Sequence, residues 1–370
     1  MKKFYLILLM LMQFDGFSQS KDLKAIIEIV YQFDNEGNDA GAHKTLTDAR
    51  KTNHFSTKEL KYIDNYILYY EYFMDEKADM KKLDLALKSM LSSNQRKAFE
   101  TELILNLYTA KYHHLAYGIG WQAALDVAEI GLKIPDFEQA ISKTKTNYLY
   151  DLGYLYDKVG NSFEGIKYYK KSLDRYKKEF GENNTDVALN YNNLAFAYAN
   201  VYNEKRTIEY YNKAAKIWEI IHKNESDKKD YLVTVYQNLT FKYLAYGDID
   251  NARKACKKLN HYFEKKYKSV ESRSQENYFD SKKSYIFSNV RMQIADNNVQ
   301  KAVALVADLT NDPIFDYADK DNLRYLMGCN EAIMDFYMDH QQYKNAITLG
   351  LKSNQIASKY DYKDFVATTN

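Results

Sequence analysis

Small and apolar residues recur along this chain at helical spacing, and the whole pattern then repeats. Leu152, Gly153, Tyr156, Gly165, Tyr169 and Ser172 have counterparts 42 residues later in Leu194, Ala195, Tyr198, Thr207, Tyr211 and Ala214. Positions three, four and seven apart share one face of a helix. Each run therefore predicts two amphipathic helices joined by a short turn. Taking Gly153 or Ala195 as an anchor, a unit carries an aromatic three residues later and a small residue twelve later. An apolar residue follows at sixteen and a small one at nineteen.

The same template fits along most of the chain. Val30 leads to Phe33, Ala42, Leu46 and Ala49, and Tyr112 to Leu115, Ala124, Ala128 and Gly131. Thr240 leads to Tyr243, Ala252, Cys256 and Leu259, and Met334 to Tyr337, Ala346, Gly350 and Ser353. Val290 leads to Gln293, Ala302, Val306 and Leu309. Met74 fits least well, with Ala86, Met90 and Ser93 but Lys77 in the aromatic slot. Anchors spaced by 38 to 50 residues predict an all-α stack of about eight antiparallel helix pairs. Residues 141–265 carry well-formed units, flanked by divergent ones over 21–140 and 266–370. Turn residues fall between paired helices at Gly37-Asn38, Gly160-Asn161 and Gly247-Asp248. Between two units, Gly181 supplies a helix stop, and the Asn183 to Asp186 stretch supplies capping side chains.

The period and the Tyr191-Asn192-Asn193-Leu194-Ala195 core resemble the tetratricopeptide repeat. The match is to its longer variant, seen in kinesin light chains and in exported bacterial proteins. Thr207 departs from the usual Ala, Gly350 from an aromatic and Tyr202 from a turn glycine. The resemblance implies a right-handed superhelical solenoid whose first helices line a concave groove. It also implies a groove that binds a peptide or protein segment. Counting from the anchors places Asn147, Tyr150, Tyr154 and Asp157 in that groove. Asn192, Phe196, Ala199 and Asn200 follow in the next unit, then Thr234, Gln237, Phe241 and Leu244. Amides can hydrogen-bond an extended backbone, and rings supply contact area at low entropic loss. These positions lack clustered Lys and Arg, so an acidic C-terminal peptide is not favoured.

Composition narrows the picture further. Only Pro135 and Pro313 break helices across 370 residues, and 36 Tyr with 18 Phe supply rings to pack between them. A net charge of +2 excludes a strong global field for nucleic acid. The basic run Lys167, Lys170, Lys171, Arg175, Lys177 and Lys178 reads as a solvated outer face. Residues 1–20 read as a signal peptide: Lys2 and Lys3 precede an apolar run from Phe4 to Phe14, with cleavage after Ser18 or Ser20. That places the mature protein in the periplasm or outside the cell, with no further transmembrane segment and no lipid-anchor cysteine. Cys256 and Cys329 lie about two repeats apart and are expected to be buried free thiols.

No catalytic motif, cofactor signature or metal-ligand spacing emerges, so the chain is expected not to be an enzyme. His113 and His114 are adjacent and point about 100° apart on a helix, which disfavours a shared metal. One alternative is the sensory or regulatory N-terminal part of a larger enzyme, such as a CHAT-type protease or a histidine kinase. Asp364 to Asn370 echo Asp186 to Asn192, as if a ninth unit were begun. A glycan-binding helical repeat is a weaker alternative, because such relatives are lipoproteins.

Overall fold

The computed structural model describes residues 21–36, 38–52, 55–74, 80–92, 98–140, 142–223, 230–273 and 277–362. The expected signal peptide and the 364–370 echo lie outside them. Among the described residues there is no strand. The chain divides into two compact units, Met1–Gly181 and Glu182–Asn370, each holding four helix pairs. The division falls inside the 141–265 stretch that the periodicity reads as continuous.

In the first unit, α1 (Lys21–Glu36) pairs with α2 (Asp39–Arg50), and α3 (Thr57–Met74) with α4 (Met80–Leu91). They are followed by α5 (Ala98–Gly118) with α6 (Trp121–Leu132), then α7 (Ser142–Lys158) with α8 (Ser162–Phe180). In the second unit, α9 (Thr185–Asn200) pairs with α10 (Glu204–Ile221), and α11 (Tyr231–Ala245) with α12 (Ile249–Lys266). Next come α13 (Tyr278–Ala295) with α14 (Val299–Thr310) and α15 (Lys320–Asp339) with α16 (Tyr343–Lys359). One-turn helices at Phe137–Gln139 and Val270–Arg273 sit in connections.

The slot twelve residues after the anchor is what lets paired helices meet. Ala42, Ala124, Gly165, Thr207, Ala252, Ala302 and Ala346 are all buried there. At Gly165 the approach leaves no room for a side chain, since a Cβ would stand 2.9 Å from the Gly153 carbonyl oxygen. The second pair departs from the expected register. Met74 closes α3 and is 44% exposed, and α4 buries Leu83 and Leu87 instead of Ala86 and Met90. Leu83 and Leu87 stand twelve and sixteen residues after Glu71, at the spacing the other pairs keep from their anchors. The true register of this pair is therefore three residues earlier.

The described turns inside the pairs share one hydrogen bond. The backbone N–H of the residue preceding the second helix donates to a carbonyl five residues back, at the aromatic slot. Asn161 bonds Tyr156 at 2.8 Å, Asn203 bonds Tyr198 at 2.9 Å and Asp248 bonds Tyr243 at 2.9 Å. Asn38, Gly120, Asn298 and Gln342 do the same to Phe33, Leu115, Gln293 and Tyr337. Ile119 before Gly120 is not left-handed, but at Asn161, Asn203, Asp248, Asn298 and Gln342 this is the Schellman closure, with a left-handed residue one position earlier. Gly160, Tyr202, Gly247, Asn297 and Gln341 supply it with φ between 56° and 84°. The same bonding residue then caps the next helix: Asn161 accepts from Glu164 N at 3.3 Å and Asn203 from Arg206 N at 3.1 Å. Gly181, at φ 81°, stops α8, and Asn184 caps α9 by accepting from Asp186 N at 2.7 Å.

Tyrosine rings occupy much of the interior, with Tyr70, Tyr112, Tyr148, Tyr169 and Tyr211 fully buried. Cys256 and Cys329 are free and buried, and burial pushes both thiols up to about 12. The basic run on α8 faces solvent, with Lys167 paired to Glu164 and Arg175 to Glu138.

Candidate functional site

First helices of successive pairs lie side by side in the second unit: α11 against α13, and α13 against α15. Side chains at fixed distances from the anchors therefore stand in rows across these helices. Where the rows cross, they line a cleft of about 460 Å³. Gln237, Asn238 and Phe241 come from α11, and Phe287 and Arg291 from α13. Arg324, Tyr325, Met327, Gly328 and Glu331 come from α15, and Tyr362 closes one side.

Three rings step across the helices. Phe241 meets Phe287 edge-on with centroids 4.9 Å apart, and Phe287 meets Tyr325 edge-on at 5.6 Å. Gly328 makes room for this step, since a Cβ there would lie 3.0 Å from the Phe287 ring. The Arg291 guanidinium carbon lies 4.9 Å from the Phe287 centroid and 5.8 Å from that of Phe241. Such stacking of a cation on ring faces is favourable and orients the planar guanidinium. The Cys329 thiol lies within its influence: burial raises the thiol while the Arg291 charge lowers it.

The second cation of the lining, Arg324, is engaged by an acid. Arg324 bonds Asp321 Oδ1 at 2.6 Å, and Lys283 bonds Asp321 Oδ2 at 2.7 Å and Asp280 at 2.8 Å. Burial raises the Asp321 carboxyl, but Lys283 and Arg324 hold it below its ordinary range.

Of the sequence-predicted groove residues, Gln237 and Phe241 line the cleft directly. Asn192 reaches it through one contact, accepting from Asn238 Nδ2 at 3.5 Å. Phe196 stands 52% exposed on α9, and Asn200 is exposed at the end of that helix. Asn147, Tyr150, Tyr154 and Asp157 lie in the first unit and are engaged by other side chains. Asn147 accepts from Tyr176 Oη and Asp157 from Ser162 Oγ, both on α8. Tyr150 meets Tyr169 edge-on at 5.6 Å, and Tyr154 meets Trp121 at 5.8 Å with Lys158 Nζ 5.2 Å from its ring. Phe287, Arg291 and Glu331 were not singled out from the sequence. They sit at the same distances from Val290 and Met334 as Gln237 and Phe241 do from Thr240.

Among the described residues, no group of three or more His, Cys, Asp or Glu could hold a metal ion. His113 stacks on Tyr112 while His114 meets Tyr72, so the two rings face different neighbours. No described helix is long and apolar enough to cross a membrane.

No family model matches the chain, and no curated protein matches it by sequence. Solved structures do. The apo form of RapI is 10% identical, with a TM-score of 0.63 over 94% of each chain. A Rap protein complexed with Competence and Sporulation Factor is 12% identical, with a TM-score of 0.53 over 92% of this chain and 98% of its own. The apo quorum sensor NprR from B. thuringiensis is 13% identical, with a TM-score of 0.51 over 90% of this chain and 97% of its own. At such identities the likeness is one of fold. Together with the paired helices and their shared turn hydrogen bond, it makes this chain an all-α helical-repeat protein of the tetratricopeptide-like type.

Proposed function

We propose that this protein is an exported, non-catalytic scaffold that holds an extended peptide or protein segment on the first helices of its second unit. The observation that carries this reading is the cleft lining. The amides of Gln237 and Asn238 stand beside the step of three rings, Phe241, Phe287 and Tyr325. Amides can bond both N–H and C=O of a strand-like backbone, and rings seat its side chains. A cleft of about 460 Å³ suits a few residues of such a segment. A protein of similar fold is known in complex with a named factor, which supports a holding role here. Export rests on the first twenty residues.

Selection of displayed random heptapeptides on the immobilised full-length protein tests the binding role. Selected peptides are expected to bind in the micromolar range by fluorescence anisotropy. The double substitution Gln237→Ala, Phe241→Ala should weaken them tenfold or more while the thermal midpoint stays within a few degrees. Equal binding by that variant would refute the cleft. Expression in a Gram-negative host, followed by N-terminal sequencing of the periplasmic fraction, tests export. The expected first residue is Gln19 or Lys21, and a cytoplasmic chain starting at Met1 would refute it.

A further inference from the structure

Arg291 is the cation of the cleft whose charge no described neighbour neutralises. It lies one position after the Val290 anchor, in the row that carries Phe196 and Phe241 on the preceding first helices. Two rings hold its guanidinium, at 4.9 and 5.8 Å. Its Nε is buried without a hydrogen-bond partner. It forms no ion pair with any described carboxylate, although Glu331 lines the same cleft. A partly desolvated guanidinium with an unmade donor is unfavourable until an acceptor arrives. A carboxylate is the acceptor whose two oxygens match the guanidinium fork.

We infer that the cleft selects peptide segments bearing a carboxylate, which docks on Arg291 while a neighbouring apolar side chain seats against Phe241 and Phe287. This rests on the peptide-holding reading above and narrows it. The absence of clustered Lys and Arg held for the three units counted in the sequence, and Arg291 stands in the unit that follows them. One stacked guanidinium asks for a single carboxylate, from an Asp or Glu side chain or from a chain terminus. Lysine would not serve equally, because a point charge neither stacks flat on two rings nor bonds both oxygens.

The test uses the peptides selected on the full-length protein, resynthesised in three forms: native, with each Asp or Glu changed to its amide, and with the C-terminus amidated. Native peptides are expected to share a carboxylate, and neutralising it should weaken binding about tenfold or more. Loss in the side-chain amide form identifies an internal acid, and loss in the amidated form identifies a terminus. Arg291→Gln should weaken the native peptide to the same degree and leave its neutralised form unchanged. Arg291→Lys should recover only part of the loss. If Arg291→Gln fails to match the wild-type circular dichroism spectrum, Arg291→Lys carries the comparison, with several-fold loss expected for the native peptide alone. Selected peptides without a carboxylate, or bound equally by both Arg291 variants, overturn the carboxylate assignment. The groove reading then survives if Gln237→Ala, Phe241→Ala still abolishes binding. Peptides indifferent to every cleft substitution, or no selected peptides at all, overturn both.

Discussion

Two glycine-to-alanine substitutions should move stability in opposite directions, because the same added methyl meets different atoms. Alanine is favoured over glycine in a helix interior by about 1 kcal/mol, and both Gly165 on α8 and Gly350 on α16 are helical. At Gly165 the new Cβ would stand 2.9 Å from the Gly153 carbonyl oxygen, 3.5 Å from Asp157 N and 3.6 Å from Asp157 Cβ. The oxygen belongs to the α7 backbone and cannot rotate away, so α7 and α8 must separate by a few tenths of an ångström. Overpacking of that kind costs about 1–3 kcal/mol. The propensity gain offsets only part of it, leaving Gly165→Ala destabilised by about 1 kcal/mol. At Gly350 the nearest atom is Met334 Sδ at 3.3 Å, the end of a flexible side chain. There the propensity gain should survive, stabilising by about 0.5 kcal/mol or more. Thermal unfolding followed at 222 nm is the assay. With about 2–4 °C per kcal/mol in a cooperative block of this size, Gly165→Ala should lower its midpoint and Gly350→Ala raise its own. A rise for Gly165→Ala would refute the close-contact reasoning, and a fall for Gly350→Ala would refute the rotamer argument.

Tyr202 holds a left-handed φ of 56° with a ring that is 92% exposed, so the side chain contributes no burial to offset the strain. Tyr202→Gly should stabilise by roughly 0.5 kcal/mol, the strain relieved minus the added freedom of the unfolded chain, and a lower urea midpoint would contradict this. Glu219 accepts from Tyr236 Oη at 2.7 Å, Lys258 Nζ at 2.9 Å and Tyr262 Oη at 3.1 Å. Burial raises its carboxyl, but the bonds from Lys258 and Tyr236 outweigh that and hold it below its usual range. A lowered folded value gives stability that is present above the unfolded pKa and lost as pH falls through the folded one. Glu219→Gln should therefore cost about 1 kcal/mol at pH 7 and little at pH 3, and an equal loss at both would refute the linkage. Trp218 is buried with an indole N–H that has no acceptor. Trp218→Phe removes that donor, worth about 1–3 kcal/mol, against a similar loss of packing, so denaturant unfolding should show a change within about 1 kcal/mol. Gly328→Ala would press on the Phe287 ring at 3.0 and 3.1 Å. It should weaken the selected peptides several-fold while the thermal midpoint moves little, and unchanged affinity would remove Phe287 from the binding surface.

The helix pairs were legible because their contacts are local and repeated. Ala42, Ala124, Ala252, Ala302 and Ala346 must be small where two backbones cross, and a period makes a small residue conspicuous. The register of the second pair is not legible in the sequence, because Lys77 leaves the aromatic slot empty while Leu83 and Leu87, not Ala86 and Met90, turn inward. The site was legible only in direction. Helical periodicity says which face a residue occupies, not which neighbour its side chain meets. Asn147 and Asp157 stand on first helices as expected, yet Tyr176 and Ser162 reach across from α8 and bond them. That reach depends on residues about 29 and 5 positions away, which no single-helix count includes.

The slots that make the fold and the rows that make the cleft are different positions of each unit. Twelve, sixteen and nineteen residues after each anchor the side chains close a pair on itself, and there the residues stay small or apolar from Val30 to Ser353. Three residues before and one after the anchor they stand on the first helices, free to differ. The row one after the anchor runs Phe196, Phe241, Arg291, Asp335 through the second unit, from ring to cation to anion. In the second unit, changing Phe241 or Arg291 alters rings and charge that face the neighbouring first helix, whereas Tyr150 in the first unit packs on Tyr169 of its own pair. Ligand chemistry should therefore be set where that row turns from Phe241 to Arg291, the step at which an apolar seat and an unneutralised charge become neighbours.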